Sequence, residues 1–337
     1  VIAANEILPD MAKAYSINHQ DVLMFNKDIK DFGLKDFDED PNIEIVIGGP
    51  PCQAYSTVGK RLLADPRGKL FQEYFRILKE FKPSTFLYEN VKGLISMNGH
   101  TLLPQITSLF GTLGYKVKHK LVNAADYGVP QMRERVIIVG TLLEKGYEYP
   151  KQTHRNSFYK KGLFEEDYLS HVTLIEAIGD LPHIKANEES NSYRVKPMND
   201  YQKQMRKNGD ILFDHNSPNH NSNLINLISH LPEGGTLSDI PENIRPKKAF
   251  GNSYSRLWSN RPSTTITRNL GTPSSARCVH PFLNRGLTTR EGARLQSFPD
   301  NYMFYGSRSA KNLQIGNAVP PILSTHLADS IMRLYNL

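Results

Sequence analysis

The segment GGPPCQAYS at residues 48–56 places Cys52, one of only two cysteines in 337 residues, on a loop stiffened by two prolines. A thiol held in this way becomes a strong nucleophile when positive charge or hydrogen bonding lowers its pKa and exposes the thiolate. Two further segments offer the groups such a nucleophile needs. YENVKG at 88–93 carries Glu89, a proton donor when protonated, and QMRERVIIVG at 131–140 carries Arg133 and Arg135, two fixed cations. Taken singly, each has an ordinary structural reading: a buried cysteine, a helix-capping acid, a solvated charge pair. Together, in this order and each beside an expected strand end, a nucleophile, a proton donor and fixed cations make a highly specific combination.

Apolar periodicity outlines the elements that must position these groups. VIAANE reads as a strand ending in Glu6, EIVIGG as a strand that stops at its glycines, STFLYEN as a strand ending at Glu89, and RVIIVG as a further strand. Between them lie the helical stretches PDMAKAYSINH, KLFQEYFRILKEF and HTLLPQITSLFGTLGY; in the second, Leu70, Phe71, Tyr74, Phe75, Leu78 and Phe81 share one face. Strand and helix alternating in this rhythm specify an α/β fold with a doubly wound, mostly parallel sheet covered by helices. Ligands of such sheets bind beyond the carboxyl ends of the strands, where Glu6, Cys52 and Glu89 all fall. From about 141 to 255 the rhythm gives way to polar, irregular sequence such as HNSPNHNSN and PENIRPKK, as in a second, smaller domain. Regularity returns near PSTTITRN and closes with a helical PILSTHLADSIMRLY that would pack back on the sheet.

Composition bounds the function classes. With 39% hydrophobic and 22% charged residues, the chain resembles an ordinary globular protein, long enough for two domains. No run approaches the roughly 18 apolar residues of a membrane span, and the start lacks the basic-then-apolar layout of a secretory signal, so a cytoplasmic protein without a membrane partner is expected. Cys52 and Cys278 are too few for a disulfide framework or a cysteine-built zinc site, and no metal is expected. Lys+Arg against Asp+Glu is 18 to 18 over residues 1–150, 13 to 13 over 151–255 and 10 to 3 over 256–337. The net charge of +7 thus sits in the last quarter, where nine of the ten basic residues are arginines. That excess reads either as a solubilising face or as a surface for phosphate oxygens and stacked bases.

GGPPCQAYS, YENVKG, QMRERVIIVG, RPSTTITRN and QIGNAVPP, in that order, resemble the signature blocks of the DNA (cytosine-5) methyltransferases, most closely the bacterial restriction-modification type. The resemblance covers nearly the whole chain outside about 150–255. It implies a class I, Rossmann-like fold, S-adenosylmethionine as methyl donor with S-adenosylhomocysteine as product, and a cytosine flipped out of double-stranded DNA as acceptor. By this resemblance Cys52 adds to C6 of the ring, and Glu89 contacts N3 and the exocyclic amine, protonated or sharing a proton with the base, with a raised pKa. Arg135, with Arg133 in support, holds the O2 edge. On the donor side, Glu6 takes the ribose hydroxyls, Ile7 lies against the adenine, and Asp28 receives its amino group with Ile29 beside it. Gly49 and Pro51 line the same pocket, while Leu70, Asn317 and Val319 reach the methionine end.

The resemblance also divides the chain into a catalytic domain (1–145), a target-recognition domain reading the major groove (146–255), and a DNA-binding segment returning to the catalytic domain (256–337). Gln53 and Ser56, in the loop after the nucleophile, are expected to close over DNA. Arg261, Arg268 and Arg277 are expected to grip phosphates in a salt-dependent way. His215 and His220 read equally as loop hydrogen-bonders or base readers. A monomer is expected, with a cognate restriction endonuclease as functional partner. One departure stands out: family members open with a strand and a glycine-rich turn beneath the methionine part of the donor, whereas this chain opens at VIAANE, where a second strand belongs. An N-terminal stretch outside this sequence, a separate polypeptide, or a form that binds no donor would each account for it, and the first is expected. Two other functions fit the same scaffold, a tRNA cytosine-5 methyltransferase and a catalytically silent DNA-binding relative. The large variable segment favours DNA, and the presence of Cys52, Glu89 and Arg135 favours catalysis.

Overall fold

The apolar runs of the first half form strands β1 (Ala3–Asn5), β2 (Leu23–Phe25), β3 (Ile45–Gly48), β4 (Thr85–Val91), β5 (Lys116–Asn123) and β6 (Glu134–Thr141). They were traced in a computed structural model that describes residues 1–337 apart from 51–68, 157–166, 194, 207–210, 248, 250 and 337. The chain divides into two units, the first Val1–Asn123, Glu134–Lys151 and His326–Leu337, the second Ala124–Arg133 and Gln152–Thr325. The second unit therefore takes in both the irregular middle of the chain and most of the arginine-rich last quarter.

In the first unit the main sheet has the order β3-β4-β6-β5. β3 and β4 run parallel, whereas β6 is antiparallel to both β4 and β5. This mixed order has a simple cause. The stretch 124–133 joins β5 to β6 without a crossover helix, and a parallel pair requires a longer connection. β4 and β6 are central, and their near-continuous apolar sequence matches burial on both faces. β1 and β2 form a separate parallel pair. Among the described residues, β1 and β3 thus each leave one edge without a strand partner, and Ile47 of β3 is 68% exposed.

Helices α1 (Pro9–Asn18), α2 (Lys69–Phe81) and α3 (Leu102–Gly111) accompany these strands. Proline at the first position of α1 suits a helix start, where its missing N–H is not needed. Phe71, Tyr74, Ile77 and Leu78 of α2 are buried, as its apolar face requires, while Leu70 at its start is exposed. The Tyr74 hydroxyl donates to the Leu87 carbonyl at 2.9 Å. Its ring fills the space above Gly48, where a Cβ would stand 2.5 Å from it. In the same way Phe86 lies over its register partner Gly140, leaving no room for a side chain there.

The second unit contains α4 (Leu174–Ile178), α5 (Asp200–Met205), α6 (Ser222–Ser229), α7 (Thr289–Leu295) and α8 (Arg308–Asn317), with α9 (Pro321–Leu334) running from its last residues into those of the first. Two short parallel pairs join β7 (His154–Arg155) to β8 (Leu169–Ser170) and β9 (Ser255–Arg256) to β10 (Arg277–Val279). Every residue of α7 is buried, although its sequence TREGARL carries three charges. Each charge is matched. Glu291 closes a capping box on Thr288 and accepts from Arg285 at 2.7 and 2.8 Å. Arg294 pairs with Asp180 at 2.9 Å and with both oxygens of Asp300, and Arg290 donates to the Phe213, Pro299 and Tyr302 carbonyls.

A pH dependence of stability follows from this interior. His280, 2% exposed, accepts the Phe282 and Leu283 amides at Nδ1. Burial pushes its imidazole down to about 3 against the pull of Glu291. The unfolded chain therefore binds a proton near the ordinary histidine value that the folded chain refuses. Stability should fall as pH drops through the window from about 6.5 to about 3, by up to about 1.4 kcal/mol per pH unit from this group. Urea titrations across that window check the slope, and a His280→Gln variant should flatten it; a parental midpoint that stays constant contradicts the assignment.

Candidate active site

Glu89 on β4 and Arg135 on β6 meet because the antiparallel register pairs Glu89 with Ile137 and Val91 with Arg135. That sets the two side chains diagonally on one face, within reach of long groups. Arg135 Nε stands 2.9 Å from Glu89 Oε1, and each side chain is 13% exposed. Burial lowers the Arg135 guanidinium from its ordinary value, and the Glu89 charge opposes that shift. A second Arg135 nitrogen donates to the Glu134 carbonyl at 2.8 Å. The pair holds the Glu89 carboxyl group in place on the rim.

β3 brings the start of the cysteine loop to the same rim. Gly48 is the register partner of Tyr88, and Gly49 lies against Glu89, where a Cβ would stand 3.2 Å from Oε2. Asn90, 3% exposed, ties the pieces together. Its Nδ2 donates to the Pro50 carbonyl and the Tyr88 hydroxyl oxygen, each at 3.1 Å, and its Oδ1 accepts the Val91 amide at 2.9 Å. Sequence reasoning passed over Asn90, although its place directly after Glu89 at a strand end was the available signal. Pro51, Cys52, Gln53 and Ser56 lie outside the described residues. The other cysteine, Cys278, is 1% exposed, and burial pushes its thiol up to about 12, which makes it inert as a nucleophile.

Parallel pairing of β1 and β2 sets Glu6 and Asp28 on one carboxyl-end rim. Asn5 donates to the Phe25 and Lys27 carbonyls at 3.0 Å, and Asn26 donates to the Glu6 and Ile7 carbonyls at 2.7 and 3.2 Å. Glu6 Oε1 accepts the Leu8 amide at 2.8 Å, leaving Oε2 with no donor among the described residues. Ile7 is 57% exposed. Asp28 caps a short turn over Ile29–Asp31, and the Lys30 amide, with the Lys30 ammonium, holds its carboxyl below the ordinary value. A carboxylate for a diol, an exposed apolar side chain for a flat base and a second carboxylate for an amino group fit a nucleoside.

The remaining candidates lie in the second unit. Arg133 is 1% exposed and donates to the carbonyls of Ile266 (3.2 Å), Gly316 (3.0 Å) and Ala318 (2.9 Å). It braces the backbone on either side of Asn317, which is exposed, while Val319 is half-buried. Four of the nine arginines of the last quarter, Arg256, Arg285, Arg290 and Arg294, are buried. Arg277 is half-buried and donates to the Arg256 and Gly234 carbonyls at 2.6 and 3.1 Å, whereas Arg261 and Arg268 are exposed. His215 and His220 are loop hydrogen-bonders, the first to Pro182 and Thr288, the second to the Gly286 amide. Among the described residues no cluster of histidine, cysteine or acid groups could hold a metal, and no helix is long and apolar enough to cross a membrane.

Known proteins are similar to this chain in sequence and in fold. The Type II methyltransferase M1.HphI of Haemophilus parahaemolyticus is 33% identical over 335 residues, covering 98% of this chain and 80% of its own length. The Type II methyltransferase M.DdeI of Desulfomicrobium norvegicum is 35% identical over 344 residues, covering 95% and 80%. In three dimensions the fold matches a protein encoded within an E. coli prophage, with a TM-score of 0.76 at 24% identity over 100% of this chain and 93% of the other. It also matches the S. pombe Dnmt2 methyltransferase, with a TM-score of 0.57 at 16% identity over 100% and 92%. The sequence profile of the C-5 cytosine-specific DNA methylases matches residues 1–333. The acid–guanidinium rim, the strand-end carboxylates and these matches agree: the chain belongs to the C-5 cytosine-specific DNA methylases and is a DNA (cytosine-5) methyltransferase.

Proposed function

We propose that the protein methylates C5 of a cytosine flipped out of a specific short duplex sequence, through a covalent bond between Cys52 and C6. The observation that best supports this is the Arg135–Glu89 pair at 2.9 Å, set against Gly49 where the chain leaves β3 toward Cys52. Attack by the Cys52 thiolate forms the S–C6 bond and moves the C5–C6 electron pair toward C5 and the ring. Glu89, sharing a proton with N3, and Arg135, at O2, stabilise the charge that this addition places on the polar edge. Bound S-adenosylmethionine would supply an electrophilic methyl carbon, so that C5 gains a bond to it as the methyl–sulfur bond breaks and S-adenosylhomocysteine leaves. Loss of the C5 proton then returns an electron pair to the ring and breaks the S–C6 bond, freeing Cys52.

Glu6, Ile7, Asp28, Ile29, Gly49 and Pro51 would hold the nucleoside of the donor, and Leu70, Asn317 and Val319 its methionine end. Arg133 acts there as a positioning residue, since it fixes the carbonyls flanking Asn317. The open edges of β1 and β3 suit the strand and glycine-rich turn with which the family begins. Residues 146–255 read the bases, Gln53 and Ser56 close on the DNA, and the modified sequence is shielded from a cognate restriction endonuclease by a monomeric enzyme. Bisulfite sequencing of DNA from a modification-free host expressing the full-length protein tests the proposal. Methylcytosine confined to one short sequence is expected; modified tRNA with unmodified DNA would contradict it.

A further inference from the structure

The chain's one tryptophan, Trp258, carries two guanidinium groups: Arg277 Cζ lies 4.3 Å and Arg261 Cζ 4.6 Å from the indole centroid. The two arginines are otherwise unlike. Arg277 is half-buried and directs its N–H groups to the carbonyls of Arg256 and Gly234. Arg261 is exposed, and its guanidinium donates to no acceptor among the described residues. The platform beneath it is fixed. Gly234, in the left-handed region at φ +73°, presses its backbone on the indole so closely that a Cβ would stand 2.0 Å from Nε1. The Ser259 and Arg261 carbonyls accept the Ile175 and Leu174 amides of α4 at 3.0 and 2.9 Å. Glu233, the nearby carboxylate, accepts the Ser259 amide and hydroxyl at 2.6 and 2.5 Å.

We propose that Arg261, stacked on Trp258, is a preorganised contact for a backbone phosphate of the DNA, and that Arg277 supports the indole from within and binds no phosphate itself. The inference rests on the reading of duplex DNA as substrate and separates Arg261 from Arg277 among the arginines expected to grip phosphates. Stacking restricts the rotamers of Arg261 while leaving its planar N–H edge free, the edge that matches two phosphate oxygens. Nothing in this arrangement selects a base, so the contact adds affinity and orientation but no sequence preference.

Fluorescence anisotropy of a labelled duplex over a KCl series, with the full-length protein, tests this. Arg261→Gln should flatten the slope of log affinity against log salt by about 0.9, the value for one phosphate. Arg261→Lys should keep the slope, because the charge remains, yet bind about two- to fivefold more weakly through loss of the stack. Arg277→Gln should leave the slope unchanged. A parental slope in Arg261→Gln overturns the phosphate assignment, and parental affinity in Arg261→Lys overturns the role of the stack. Failure of the parent to bind duplex DNA at any salt would instead overturn the DNA reading beneath both.

Discussion

Glu89→Gln should slow single-turnover methyl transfer by about 10²–10⁴-fold while duplex affinity stays at the parental level. The amide keeps an oxygen acceptor for Arg135 Nε at the position where the carboxylate now lies 2.9 Å away, so the rim should retain its shape. What it loses is the capacity to share a proton with N3 as the thiolate adds, and that capacity matters in the transition state far more than in binding. A loss confined to the chemical step, measured by rapid quench with enzyme in excess, supports the acid role. An equal loss in binding and rate would reduce Glu89 to an anchor, and a parental rate would remove it from the mechanism.

Asp300→Ala should destabilise the second unit by about 3–5 kcal/mol, the range for breaking a buried ion pair by removing one partner. Arg294 has no exposed surface and Asp300 is 2% exposed, so the guanidinium is left deep in the protein with only Asp180 as counter-charge. Tyr193, whose hydroxyl donates to Asp300, loses its acceptor in the same step. Urea unfolding gives the number directly. Replacing both members, as Arg294→Met with Asp300→Leu, should recover part of the loss because no unpaired charge then remains at that pair. A single variant within about 0.5 kcal/mol of the parent, as for an ordinary surface substitution, would show that the pair is not a structural centre.

Much of this architecture is legible in the sequence where local pattern and tertiary role coincide. β4 and β6 are buried on both faces, so FLY and VIIV stand out as apolar runs and Glu89 falls where such a run ends. β5 is the opposite case. As an edge strand, KVKHKLVN carries lysines, which protect an exposed edge and erase the apolar signal, so it escaped notice along with the antiparallel pairing it imposes. Charge counting is coarse for a related reason. An arginine paired to an interior carboxylate contributes to a count as an exposed one does, so the count does not tell Arg285 and Arg294, which are core, from Arg261 and Arg268, which are exposed. Neighbouring positions can mislead as well: Arg133 and Arg135 are two residues apart, yet Arg133 turns to the carbonyls around Asn317 and Arg135 turns to Glu89.

The most direct test of the covalent pathway uses a duplex carrying 5-fluorocytosine at the target base, incubated with the full-length protein and S-adenosylmethionine. Fluorine at C5 cannot leave as a proton does, so the enzyme should be caught in a denaturant-stable adduct whose peptide map places the modified base on Cys52. The adduct should require the methyl donor and be absent in Cys52→Ser. An identical adduct with Cys52→Ser, or none from a protein that methylates the unsubstituted duplex, would contradict the account.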